Sequence, residues 1–235
     1  MRGRRARLLA GAALATWALL VRGPSARAAS FDAESPDVVM HRVAAAASEV
    51  DRAIVGYHSD STLHVDAGPY HHTSTESRWF VLEDGKLVAT GLRANSGPSL
   101  GKGEERPSHE PWGPYVSEYA FSRAPCPACA PGTVAIAFSS DMHDAQHGSG
   151  TLIVDLARAV VLRETQAPYD FGGMAKSGTI EVDFGESDIG WRPRALVGDF
   201  QGNVGPFNAN AHLEDTLHDF KRYPTVESAI AALST

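Results

Sequence analysis

A chain of 235 residues that is 43% hydrophobic and 21% charged, with two Cys, 22 Gly and 14 Pro, has globular composition, which excludes collagen, a disordered tail and a disulfide-dense miniprotein. Six of its 21 Lys+Arg lie before residue 29 and none of its 28 acids does, so residues 29–235 carry 15 bases against 28 acids, a net charge of -13. That acidity argues against nucleic-acid binding, because phosphates must be met by cations, and against docking on an anionic membrane through a basic patch.

Residues 1–28 read as an export signal. Arg2, Arg4, Arg5 and Arg7 form a positive start, Leu8 to Val21 is an apolar run of 14 residues, and Ala26-Arg27-Ala28 places small residues where a signal peptidase cuts, after Ala28. A membrane-spanning helix wants about 20 apolar residues, so this run is short for an anchor. The expectation is a protein that is soluble once the signal is removed, periplasmic or secreted, with residues 29–235 as a single β-rich domain.

The first expected element is a helix. Ser35 can cap it, Pro36 suits its first position, and Val39, Val43, Ala46, Val50 and Ile54 form one apolar stripe ending near Gly56. From there the period is two. Expected strands are Tyr57–Val65, Tyr70–Leu82, Lys86–Leu92, Val116–Phe121, the alternation of Val134, Ile136 and Phe138, Gly150–Asp155, Val160–Thr165, Thr179–Phe184, Ala195–Phe200 and Phe207–Leu213. Glu83-Asp84-Gly85 and Asp155–Arg158 are hairpin turns, and strands joined so tightly are antiparallel. Asn95 to Pro114 is a long irregular loop, read as a lid or a disordered insert. A short helix capped by Thr225, with the stripe Val226, Ile230 and Leu233, closes the chain. The expected fold class is α+β: a large curved antiparallel sheet, an incomplete β-barrel, covered by the N-terminal amphipathic helix and the short C-terminal helix.

Gly148-Ser-Gly-Thr-Leu-Ile-Val-Asp155, a turn, and Ala159-Val-Val-Leu-Arg163 together resemble a hairpin of the LolA/RseB-like superfamily of periplasmic lipoprotein-sorting proteins. The order of elements is similar too: export signal, helix, a strand carrying Trp79-Phe-Val-Leu-Glu-Asp-Gly-Lys86, a Gly-rich loop and late strands after Gly178. The resemblance implies a curved, incomplete barrel closed by helices, an apolar cavity for acyl chains or a hydrophobic partner, and no catalysis.

No phosphate-binding loop or dinucleotide fingerprint occurs, and neither a catalytic residue nor a cofactor is expected. Trp79, Val81, Ile180, Val182, Phe184, Leu196 and Phe200 are the apolar strand positions expected to point inward, either as core or as the lining of a ligand cavity. Cys126-Pro-Ala-Cys129 is flanked by prolines with no βαβ pattern nearby, and in an oxidising compartment it reads as a small disulfide before the next strand. Asp141, His143 and His147 offer metal ligands within a short segment; His143 and His147 would share a face only on a helix, and the surrounding Ser and Gly favour a loop. The leading expectation is an exported, non-catalytic binding protein for an apolar ligand or a lipidated partner. The alternatives are an exported metal-binding protein using His143 and His147, and a protein-interaction module of the cell envelope.

Overall fold

The structure, a computed structural model, describes residues 34–51, 53–96, 109–170 and 175–235. The expected signal segment with its cut after Ala28, and most of the long irregular loop, lie outside the described residues. Within Glu34–Thr235 the order is helix α1 (Pro36–Asp51), strands β1 (Ile54–Ala67), β2 (Tyr70–Glu83) and β3 (Lys86–Ser96), a 3-10 turn (Val116–Glu118), strands β4 (Ala120–Ala124), β5 (Thr133–Ser139), β6 (Gly148–Asp155), β7 (Val160–Pro168), β8 (Ala175–Ser187), β9 (Gly190–Val204) and β10 (Phe207–Tyr223), and helix α2 (Val226–Leu233). Among the described residues, no helix is long and apolar enough to cross a membrane.

All ten strands join one antiparallel sheet in the order β3-β2-β1-β10-β9-β8-β7-β6-β5-β4, which leaves β3 and β4 as open edges. The hairpins follow from local chemistry. Asp84 (φ 50°) and Gly85 (φ 72°) both adopt the left-handed conformation that a two-residue turn between twisted strands requires. At the β6–β7 turn the Asp155 carboxylate accepts the backbone N–H groups of Ala157 (3.0 Å) and Arg158 (2.9 Å). Val116–Phe121 corrects the sequence reading. Its first half is a 3-10 turn, because Pro111 and Pro114 fix φ and lack N–H donors, and one tight turn follows another from Glu110 to Tyr119.

The two helices cover opposite faces at opposite ends of the sheet. α1 is capped at its start by Ser35, whose Oγ accepts the Val38 N–H, and it buries Val39, Met40, Val43 and Ala44. It lies on β4, β7 and the 3-10 turn, over the face that holds Ile136, Leu152 and Val154, all fully buried. Arg123, paired in register with Ile136, reaches from that face to the Glu34 carbonyl just before α1. α2 starts with a capping box between Thr225 and Ser228. It packs on β1, β2, β3 and β10, where Ala229 and Leu233 close over Trp79 and Val81 with Ile54, Ala89 and Tyr223 alongside. Side chains alternate along a strand, so Phe80 and Leu82, between and beside these residues, point the other way.

Candidate functional site: an apolar cavity with buried acids

The face that α2 leaves uncovered holds a cavity of about 410 Å³. Val55, Tyr57 and Ser59 of β1, Phe80 and Leu82 of β2, and Leu87 of β3 line one side. Asp215, Leu217 and Phe220 of β10, Arg192, Pro193 and Leu196 of β9, Val182 of β8 and Glu164 of β7 line the other. β2 and β7 are five strand steps apart and would stand roughly 24 Å from each other in a flat sheet, so sharing one cavity requires a strongly curved sheet with this face inside. The segment Glu110–Tyr115 forms the remaining wall.

Aromatic stacking builds the floor. Tyr57 is sandwiched between Phe80 (centroids 5.1 Å apart) and Phe220 (4.8 Å), one ring from each of three adjacent strands. Burial, with Asp215 and Glu110 nearby, raises the Tyr57 hydroxyl above its ordinary value, so it stays protonated. Polar groups sit within this apolar surface. Glu164 is 1% exposed and its Oε2 accepts the Trp112 indole N–H at 2.8 Å. Burial first, and Glu110 second, raise its carboxyl well above the usual range, which favours its protonated form. Asp215 accepts the Ser59 hydroxyl at 2.6 Å, and burial raises it despite that bond. Arg192, 6% exposed, brings the one guanidinium to the described lining.

The structure distributes the residues expected inside. Val182 and Leu196 line the cavity, and Phe184 borders it edge-on to the Trp112 ring at 5.1 Å. Ile180 shares the Val182 face of β8, two residues along, without lining the cavity. Phe200 lies in a second, more polar hollow of about 560 Å³ with His64, Asp199 and His212. Trp79 and Val81 belong to the opposite face under α2, where the Trp79 indole lies so close over Gly91 that a Cβ there would stand 2.4 Å from the ring. One face of β2 is buried at this point and the other half-buried along the cavity, so its apolar residues are continuous and alternation could not choose between them. Cys126 and Cys129 are bonded, with sulfurs 2.08 Å apart.

A polar cluster lies at the far end of the Glu110–Tyr115 wall. His109 Nδ1 stands 2.7 Å and His147 Nε2 2.9 Å from the same Glu118 oxygen, Oε2. The other nitrogen of His147 is 2.7 Å from Asp144, and His147 is 2% exposed. Burial opposes charge on both groups, yet the hydrogen bonds prevail: Glu118 is held below the usual carboxylate range and His147 above the usual imidazole value. The structure does not bring His143 to His147. The segment is a loop, both nitrogens of His147 face carboxylates, His143 stacks on Tyr169 (4.3 Å between centroids), and Asp141 is exposed. Glu118, His109, Glu164 and Asp215 were not singled out by the sequence. Glu164 and Gln166 alternate with Arg163 and Thr165, so all four positions are polar and give no inward signal.

No protein-family description matches the chain, and no curated protein matches it. Solved structures do. The chain is similar to a LolA superfamily protein from Nitrosomonas europaea, at 9% identity and a TM-score of 0.42 over 83% of this chain and 97% of that one. It is similar to a DUF1329 family protein from Desulfovibrio piger, at 10% identity and a TM-score of 0.44 over 85% of this chain and all (100%) of that one. A chain of the MucA/MucB complex of Pseudomonas aeruginosa matches at 9% identity and a TM-score of 0.25, covering 81% of this chain and 99% of that one.

Proposed function

We propose that this is an exported binding protein that holds the apolar part of a small amphiphile, or of a lipidated partner, in the cavity between the curved sheet and the Glu110–Tyr115 segment. One observation carries the reading: the concave apolar face stays hollow where α2 has gone to the opposite side. At about 410 Å³ the hollow is within the range of small-molecule sites, roughly 300–1,000 Å³, and its wall is mostly apolar with a few buried polar groups that would fix a ligand's orientation. Export, with cleavage after Ala28 into the periplasm or the medium, belongs to the same proposal, and residues 29–235 form the one binding domain. The role is to hold and release a ligand; Glu164, bonded to Trp112, serves as a polar anchor.

The test is purification of the exported form, mass spectrometry of co-purifying lipid, and titration with a fluorescent fatty-acid probe. Bound lipid, or saturable probe binding that Leu196→Trp removes by filling the cavity, is the expected result. No lipid together with no saturable binding in the wild type would overturn the reading.

A further inference from the structure

We infer that His109, His147 and Glu118 form a binding site for one divalent transition-metal ion of the zinc type. The three side chains come from two separate segments, the turn before β4 and the β5–β6 loop, and their ligand atoms all lie within 4.8 Å of one another. Two imidazoles and one carboxylate are a donor set that zinc accepts, with a fourth position left for water. Around a tetrahedral ion bound at 2.0–2.2 Å, ligand atoms lie about 3.3 Å apart, so the present spacings of 2.7 and 2.9 Å need only open slightly.

The supporting shell separates this cluster from an ordinary hydrogen-bonded one. Each imidazole turns one nitrogen towards Glu118 and has the other held by a polar partner, and for His147 that partner is an acceptor, as it is for metal-binding histidines. For His147 that partner is Asp144, 2.7 Å from Nδ1, which is itself fixed by accepting the Gln146 N–H at 2.9 Å. For His109 it is the Gln146 side chain, whose amide nitrogen stands 3.1 Å from Nε2 and whose oxygen would turn there to accept the Nε2–H of a metal-bound ring; the ring also lies flat on Tyr115, 2° from parallel with centroids 3.7 Å apart. The backbone holds the two segments together, with His109 N–H donating to Gln146 O at 2.9 Å. Ring orientation is therefore set before any ion arrives. The location also has a consequence. His109 and Glu118 flank the segment whose Glu110, Trp112 and Tyr115 wall the cavity, and His147 belongs to the sheet's own loop, so an ion would fasten that wall to the sheet.

The experiment uses the purified exported chain after chelator treatment, titrated with Zn²⁺ by calorimetry and with Co²⁺ by its visible spectrum. The expected result is one equivalent bound, with a tetrahedral Co²⁺ spectrum, in the wild type and equally in His143→Ala and His58→Ala. His109→Ala, His147→Ala and Glu118→Gln should lose it, and Asp144→Asn should weaken it roughly 10–100-fold. Circular dichroism checks each variant. Should His147→Ala fail to fold, Glu118→Gln decides the matter, since it keeps the side-chain shape and removes only the charge. Absence of stoichiometric binding in the wild type overturns the site. So does binding that survives Glu118→Gln, and so does binding that is lost with His58→Ala, which would place the ion at the separate His58–His218–Asp219 group.

Discussion

At the β4–β7 end of the sheet, α1 lies on the concave face and the space is filled: Val39 and Met40 of the helix and Ile136, Leu152 and Val154 of the strands are all inaccessible to solvent. At the β1–β3 end, α2 lies on the convex face, and the concave face is hollow. The strands are of the same kind at both ends. The side on which the helix docks decides whether a curved sheet builds a core or a cavity, because an apolar face must be covered by something and a helix can cover only one. The layer under each helix therefore carries stability, and the concave face at the β1–β3 end leaves open space.

The largest expected effect tests the convex side. Trp79→Ala should cost about 3–5 kcal/mol in denaturant unfolding by emptying the layer under α2, while the surviving folded protein keeps its probe affinity. Lost probe binding at unchanged stability would reverse the assignment of the faces. Next, Ile136→Ala at the filled end should cost about 2–5 kcal/mol, whereas Leu196→Ala, which already borders empty space, should cost about 1 kcal/mol and act on binding instead. Equal losses would mean that the cavity is closed and filled in solution.

A third prediction concerns pH. Glu164 is raised in the folded state, so above the unfolded carboxyl value of about 4.3 the folded chain keeps a proton that the unfolded chain releases. Stability then falls as pH rises towards the folded value, by up to about 1.4 kcal/mol per pH unit. Glu164→Gln, which still accepts the Trp112 N–H, should flatten that slope, and stability measured from pH 4 to 7 in both proteins reads the difference. An unchanged slope would show that Glu164 ionises freely in the folded protein. The smallest effect should come from replacing both Cys126 and Cys129 by Ser. The bond closes a loop with a sequence separation of only 3, so its loss should cost under about 2 kcal/mol, and thiol titration of the native protein should find no free thiol.

Much of the architecture was legible because it is local. The Thr225 cap, the left-handed turn at Asp84-Gly85 and the alternation of Thr179–Phe184 each depend on a few neighbouring residues, and each occurs where those residues predict it. The candidate sites were legible only in part. Val182 and Leu196 were placed inside by alternation, but in β2 the residues Trp79, Phe80, Val81 and Leu82 are all apolar, and the facing of each follows from where α2 docks. His147 stood out because metal-binding residue types crowd around it, while its companions Glu118 and His109 lie in other segments, Glu118 29 residues away.

The amino-acid order by itself determined most of the elements, their turns and the antiparallel pairing of strands that are neighbours in the chain, since backbone conformation and side-chain period are set over a few residues. Tertiary structure alone decided which face each helix covers, where the sheet encloses space, and which distant polar groups meet. Those outcomes depend on sheet curvature and on contacts between segments far apart in the chain, which no short-range pattern encodes.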